Sequence, residues 1–398
     1  MAFDSCDVAI VGGGPAGSAT AISLRTHAPL LSVVLIEASR YNSFRIGETL
    51  PPPARAVLEH LDLWESFASD SHEETYGSTT SWGSASLQHN DYFFSPANVG
   101  WHVDRVAFDA MLAQQAASRG TRLLLNTRIH HAQRRDGKWR LILSADKTID
   151  ARFIVDATGT AALARGFGSQ FIEEDQLIGI ARVFAGANRD ASTIVEPFAH
   201  GWWYTAALPN DLRIVVLMTD SDLARRFHFQ KTAEWESVLS DTRHVSVMVN
   251  QSKPSASLAI RSASSRRLTP PTGDDWLAVG DSASRFDPLS SQGVFKALRS
   301  GVFGAYAIAD RLTRSETAGL RKYNYLIEAE FKGYLDVRAR YYCDERRWSR
   351  SEFWRRRHLD SDPAAGSAMN LKMKLEPAPA RDSRLALADR DANRTPLV

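Results

Sequence analysis

Residues 6–40 read CDVAIVGGGPAGSATAISLRTHAPLLSVVLIEASR, and this stretch decides the fold. Val8, Ala9, Ile10 and Val11 form a short apolar run that predicts a buried strand. Gly12, Gly14 and Gly17 follow at G-x-G-x-x-G spacing, and a helix of small residues, Ala16 to Leu24, opens directly behind them. A second apolar run, Val33 to Ile36, ends at Glu37. Gly12 permits a tight turn, Gly14 lets backbone approach a pyrophosphate, and Gly17 lets helix and strand pack closely. Around Pro15 and Ala16 the helix start offers unpaired N–H groups and a positive dipole end to phosphates. Glu37, about 20 residues past the last glycine, is placed to accept hydrogen bonds from a ribose. The order predicts a dinucleotide-binding βαβ unit and leaves FAD and NAD both open.

A chain of 398 residues exceeds one typical domain and can bury a large core. Its hydrophobic content of 44% and charged content of 24% are ordinary for a globular protein, and a net charge of +2 gives no mandate for nucleic acid. Cys6 and Cys343 are far apart, which offers neither a disulfide framework nor metal-ligand spacing. The first strand begins almost at once and no apolar run reaches membrane-spanning length, so the expectation is a reduced cytoplasmic compartment with no membrane and no metal.

Further along, Arg45-Ile46-Gly47-Glu48-Thr49-Leu50 leads into Pro51, Pro52 and Pro53, which can start a helix over Ala54 to Trp64. Glu48 reads either as a polar group beside cofactor or substrate, or as a helix-start carboxylate. Residues 68–100 read as irregular or strand structure of a substrate-facing lobe. His102 reads either as an acid–base group or as a hydrogen-bonded structural histidine before Arg105 and the helix Val106 to Ser118. Ile129 to Arg135, Trp139 to Ser144 and Ala151 to Val155 predict a meander turning at Asp136-Gly137. It ends at Asp156-Ala157-Thr158-Gly159. Strand patterns at Gly179 to Phe184, Gly201 to Leu208 and Arg213 to Thr219, interrupted by helical stretches, predict a second sheet. In it Trp202, Trp203 and Tyr204 can line an aromatic pocket, although alternation turns one of them into the core. Trp276 to Asp281 returns as a buried strand ending in Gly280-Asp281, followed by Pro288, Gln292-Gly293 and a helix through Ala309. From Gly319 to His358 the pattern is helical, with the basic aromatic region near 346–358, which includes Arg355 to Arg357, read either as a solvated helix end or as a dock for an acidic partner.

These residues together resemble the FAD-dependent monooxygenase and flavin halogenase superfamily. G-G-G-P-A-G is similar to its FAD end, Asp156 to Gly159 to its D-A-T-G element, and Gly280-Asp281 with Asp287-Pro288 to its G-D…P motif, in which the Asp holds the ribityl chain. Arg105 sits where members place an arginine near FAD. R-I-G-E-T-L-P-P-P, G-W-W-Y-T-A-A-L-P and the late Y-Y…E-R-R-W…F-W-R-R-R stretch resemble the halogenase-like branch. Tryptophan halogenases, however, carry a lysine after the G-E-x-x-x-P segment, and this sequence has none before Lys138. Their W-x-W-x-I-P signature is absent too, and Gln292 stands where their Ser-Thr-Gly halide site lies. The remaining resemblance is to flavoproteins that mature tryptophylquinone cofactors in partner enzymes.

The resemblance implies an α/β fold: a Rossmann-type FAD-binding domain, an inserted antiparallel-sheet substrate domain, and a helical C-terminal region. The implied boundaries are 1–170 (with 68–100 in the substrate lobe), 171–265, 266–312, 313–358 and a tail over 359–398. It implies FAD held by Gly12, Gly14, Pro15, Ala16, Gly17, Glu37, Arg45, Arg105, Asp156, Gly159, Gly280, Asp281, Pro288, Gln292 and Gly293, with Glu48 and His102 as candidate catalytic residues. The implied reaction is hydroxylation, through a flavin C4a-hydroperoxide formed with O₂, of a tryptophan in a quinoprotein subunit precursor. Lacking a second G-x-G-x-x-G, the chain would draw electrons from transient NAD(P)H or a separate reductase. Hydroxylation of a small aromatic metabolite, halogenation, and a non-catalytic flavoprotein chaperone are the alternatives.

Overall fold

Val8, Ala9 and Ile10 are fully buried at the centre of a parallel sheet, as four consecutive apolar residues must be when both faces of a strand are covered. The structure, a computed structural model, describes residues 4–92, 98–187 and 190–359. In the first sheet Arg122–Leu124, Val33–Ile36, Asp4–Val11 and Thr148–Asp156 lie side by side in that order, all parallel. Trp276–Ala278 joins Thr148–Asp156, also parallel, so Val11, Asp156 and Ala278 end at one rim. Lys138–Leu143 and Ile129–Arg135 extend the sheet antiparallel as the expected meander, with Asp136 and Gly137 both at positive φ in the turn.

The described residues form ten α-helices: α1 (Pro15–His27), α2 (Ala54–His60), α3 (Trp64–Ala68), α4 (Arg105–Ser118), α5 (Ser221–Arg226), α6 (Thr232–Ser240), α7 (Val245–Met248), α8 (Gly293–Arg314), α9 (Ala318–Asp344) and α10 (Glu352–Leu359). One expected helix breaks. The run Ala54 to Trp64 divides into α2 and α3 because Asp62 takes a left-handed φ of 55°, which helical geometry forbids. α1 and α8 pack at backbone distance through Gly301, where a Cβ would lie 2.4 Å from the Ala16 carbonyl oxygen. α9 is tied back to the parallel sheet by the Tyr323 hydroxyl, which donates to the Ala278 carbonyl at 2.8 Å.

The second sheet runs Lys253–Pro254, Leu177–Ala185, Leu212–Asp220, Gly201–Leu208, Thr193–Phe198, Gly77–Thr80, Gln88–Asp91, with Ala259–Ser262 also on Leu177–Ala185. Its pairs are antiparallel except Thr193–Phe198 with Gly77–Thr80. The 68–100 lobe therefore supplies two strands of this sheet. Two more of its strands, Glu73–Thr75 and Gly100–His102, pair with each other, and Gly100–His102 also pairs with Thr49–Leu50. Arg266–Thr269 forms a small antiparallel sheet with Gln170–Glu173 and Ser284–Arg285. Both faces of the large sheet are covered. Trp202, Tyr204, Val216 and Met218 pack on one side with Tyr342, Phe353 and Trp354, while Trp203, Val215 and Leu217 pack on the other with Trp235 and Val245. The expected tail lies, from residue 360 on, outside the described residues, as do residues 93–97 of the lobe.

Candidate active site and cofactor cradle

The glycines divide by what surrounds them. A Cβ on Gly12 would lie 2.2 Å from the Ala157 carbonyl oxygen, and one on Gly17 would lie 1.9 Å from that of Gly12, so the turn and the helix–strand contact both exclude side chains. Around Gly14, Gly159 and Gly293 a Cβ would meet nothing within 4 Å. These open positions face the rim where the parallel strands end, the side on which such sheets take ligands. Gly14 caps α1 and Gln292 caps α8, neither with a side-chain hydrogen bond, so both long helices present unpaired amide groups. Gly280, at φ 61°, brings the two helix ends together: its Cβ would lie 2.8 Å from that of Ala16 and 3.6 Å from that of Ala297.

A charge network backs the α1 end. Glu37 Oε2 accepts the Gly13 amide N–H at 2.9 Å, and Oε1 accepts from Ser39 and from Arg45 Nη2 at 3.0 Å. Arg45 Nη1 reaches Asp109 at 2.6 Å, and Arg105 donates to the same carboxylate at 3.1 Å and to the Ile46 and Gly47 carbonyls. Hydrogen bonds from Ser39 and Gly13 and the Arg45 cation outweigh burial and hold the Glu37 carboxyl below its ordinary range. Asp109, absent from the sequence reading, is the anchor that aligns both arginines.

Asp156 differs from the expectation of direct cofactor contact. It is fully buried, and its carboxylate accepts from the Thr158 and Ala164 amides at 3.0 and 2.8 Å. It shapes the D-A-T-G loop and leaves the open Gly159 as the accessible part. Asp281 is half-exposed and faces Lys296 Nζ at 3.5 Å. That lysine is buried within α8, held by the Ser284 carbonyl and pushed below its ordinary range by burial. Buried Arg266 and Arg285 also feel the Asp281 charge. The one legible trace of this cationic cluster is a lysine inside the apolar run Val294-Phe295-Lys296-Ala297-Leu298. Pro288 is exposed at the start of the turn that leads to Gln292 and Gly293.

Three separated motifs meet on one face of the large sheet. Ile46 from R-I-G-E and Leu289 from the D-P-L turn pack on the cluster that contains Trp202 and Tyr204. Glu48 is 3% exposed beside them; burial raises its pKa, against which its own backbone N–H, the Gly47 N–H at 3.0 Å and the nearby Arg105 cation favour its charged form. Burial and the Glu48 charge together raise the Tyr204 phenol well above its ordinary value. Trp203 is the residue that alternation turns away: it packs against Trp235 on the opposite face and takes no part here. His102 is fully buried with Nε2 2.9 Å from the Thr193 hydroxyl, and burial next to the Arg213 cation pushes it down to about 4, so it is neutral at pH 7.

The end of the C-terminal basic run is partly internal. Arg357 is buried and pairs with Asp220 at 2.7 Å, and Arg356 pairs with Asp220 and Asp222, because Asp220 ends a buried strand and requires counter-charge. Of the three arginines only Arg355 is exposed.

Residues 5–325 match the family model of the FAD binding domain. The chain belongs to this family of FAD-dependent oxidoreductases. It is 30% identical over 368 residues to the putative FAD-dependent oxidoreductase LodB of Marinomonas mediterranea, covering 90% of this chain and 98% of that one. Among solved structures it is similar to CmlS, a flavin-dependent halogenase, with a TM-score of 0.81 at 25% identity over 91% of this chain and 69% of that one. It also shares its fold with QhpG, a peptidyl tryptophan dihydroxylase essential for tryptophylquinone cofactor biogenesis, with a TM-score of 0.69 at 23% identity over 92% and 81% of the two chains. The fold is the α/β one expected, and the chain is similar to FAD-dependent oxidoreductases and flavin-dependent halogenases. No helix among the described residues is long and apolar enough to cross a membrane.

Proposed function

We propose that this chain is an FAD-dependent monooxygenase that hydroxylates an aromatic ring, a tryptophan side chain in a quinoprotein subunit precursor, during tryptophylquinone biogenesis in the cytoplasm. The observation that carries the reading is the meeting of Glu48, Tyr204 and Trp202 on one apolar face beside the cofactor cradle, where the segment after Glu48 brings three prolines and no lysine. The amide groups of Gly14, Gly159 and Gly293 and the two helix ends would hold the cofactor, with Glu37, Arg45, Arg105 and Asp281 around it. Bound and reduced, FAD supplies the activation of O₂. Ile46 and Leu289, partly buried on the cluster that contains Trp202 and Tyr204, would exclude water and offer apolar surface to a ring. Glu48, whose pKa burial raises, offers a carboxyl group beside Tyr204 that can exchange a proton with an incipient ring hydroxyl.

Likeness to CmlS favours a second reading, halogenation. Mass spectrometry of turnover mixtures with reduced FAD, O₂ and chloride, offering free tryptophan and a tryptophan-containing quinoprotein precursor side by side, separates the readings. Oxygen added to the precursor alone is expected. Oxygen on free tryptophan would indicate a small-molecule hydroxylase, and chlorine on either would indicate a halogenase. Anaerobic mixing of oxidised enzyme with NAD(P)H tests the electron source: slow bleaching is expected of an enzyme served by a separate reductase.

A further inference from the structure

Tyr334, Arg338 and Tyr342 recur every four residues along α9 and so share one helical face. All three end at the turn that delivers the α8 amino end. The Asp287 amide N–H donates to the Tyr334 hydroxyl at 2.7 Å, and the Tyr334 ring stacks on Phe286 with centroids 4.1 Å apart. Arg338 reaches Asp175 at 2.7 Å and Asp287 at 3.4 Å. The Tyr342 hydroxyl donates to Asp287 Oδ2 at 2.8 Å and accepts the Trp202 indole N–H at 3.0 Å. Asp287 Oδ1 in turn accepts the Leu289 amide at 2.9 Å, which closes the turn into Gln292 and Gly293.

Tyr342 is fully buried, its ring 5.1 Å from the guanidinium groups of both Arg338 and Arg357. Burial and the Asp287 carboxylate keep the phenol protonated, which fixes the direction of donation: indole to phenol, phenol to carboxylate. Trp202 lies on the strand proposed to face the substrate, so one hydroxyl joins that strand to the turn before α8.

We infer that Tyr342 is a positioning residue that couples the substrate-facing strand to the cofactor-facing end of α8 through the chain Trp202–Tyr342–Asp287. This rests on the proposed placement of FAD and substrate, and it goes beyond it by assigning the coupling to a helix that lines neither motif. Loss of either hydrogen bond loosens the turn of residues 288–292, and a ring that presses on Trp202 is felt at the α8 amino end.

The test uses hydrogen exchange of the Leu289, Ser290 and Ser291 amides in FAD-free protein, together with FAD affinity from flavin fluorescence. Tyr342→Phe keeps the ring and removes the hydroxyl; exchange is expected to rise and FAD binding to weaken, each by about tenfold, the equivalent of one lost hydrogen bond. Trp202→Phe is expected to raise exchange of the same amides, and the double variant to add nothing to Tyr342→Phe. Trp203→Phe, a neighbouring indole on the opposite face, controls for simple loss of packing and is expected to leave the turn unchanged. Unchanged exchange in Tyr342→Phe and Trp202→Phe, equal loosening by Trp203→Phe, or additive effects in the double variant would overturn the proposal. If Tyr342→Phe does not fold, Trp202→Phe against Trp203→Phe carries the same test. Wild-type protein that binds no FAD would break the cofactor reading, while the exchange measurement still decides the relay.

Discussion

The amino ends of α1 and α8 lie side by side at Gly280, yet they are built in opposite ways. Most of what shapes the α1 end comes from a short segment: the strand, Gly12, Gly14 and Gly17, and Glu37, which holds the Gly13 amide from 24 residues away, with Ala157 against Gly12 and Asp109 behind Arg45 as the distant supports. The α8 end is held from outside. The residues that fix Asp287 in the turn before it lie 47 and 55 residues later on α9, and Tyr342 in turn depends on Trp202 in another sheet. One end is a local motif, and the other is a product of the assembled fold. The first can be recognised by spacing, because its energetics are those of a turn and a close contact. The second depends on buried hydrogen bonds whose partners meet only after the sheets and helices have packed.

The largest effect is expected at the local end. Gly17→Val puts a side chain against the Gly12 carbonyl, where even a Cβ would lie at 1.9 Å, and no folded protein by circular dichroism is expected, a cost above about 5 kcal/mol. A folded Gly17→Val protein would show that the α1 end is less tightly built than its contacts require. Next comes Asp287→Ala, which leaves the Tyr342 hydroxyl and the Leu289 amide without an acceptor and removes a counter-charge of Arg338. Denaturant unfolding is expected to show a loss of about 4 kcal/mol. A loss below about 1 kcal/mol, the scale of a surface pair, would mean that the α8 end is not held from α9.

Acid stability separates both ends from the substrate side. His102 has its pKa lowered from 6.5 to about 4, so between these values the unfolded chain binds more protons than the folded one. Stability is present above pH 6.5 and is lost as pH falls towards 4, by on the order of 3 kcal/mol over the full shift. His102→Gln, unfolded by urea across this range, is expected to show a flatter profile than the native protein. Glu48 acts with the opposite sign. Its folded pKa is raised, so its burial costs stability as pH rises above its ordinary value of 4.5, and Glu48→Gln is expected to raise Tm at pH 7 but not at pH 4.

The smallest effect on stability is expected at Gly14, where φ is −75° and a Cβ meets nothing. Gly14→Ala is expected to fold with stability within about 0.5 kcal/mol of the native protein, yet to lose FAD affinity in a fluorescence titration. Retained affinity would mean that the open space over Gly14 is not where the pyrophosphate lies.

The parallel strands, the Asp136-Gly137 hairpin and most of the second sheet were legible because alternation, apolar runs and turn residues act within a few neighbours. The break between α2 and α3 was not, since nothing in Leu61-Asp62-Leu63 announces that Asp62 takes a left-handed conformation. Arg356 and Arg357 read as surface charge because charge runs usually are; their meeting with Asp220 and Asp222 buried Arg357 and drew Arg356 partly inward. Asp109 and Lys296 carried no motif, and Tyr342 lay within the Y-Y…E-R-R-W stretch with nothing to single out its role.

By itself, the sequence determined the βαβ unit: glycines fitted to backbone contact, a helix that opens directly behind them, and a second strand that ends at an acid, all set by spacing along one short segment. The tertiary structure alone decided which face of the aromatic strand meets Glu48, which arginines are counter-ions, and what holds the α8 end. Those answers depend on which partner neutralises a buried charge or completes a buried hydrogen bond, and the partners come together only in the packed fold.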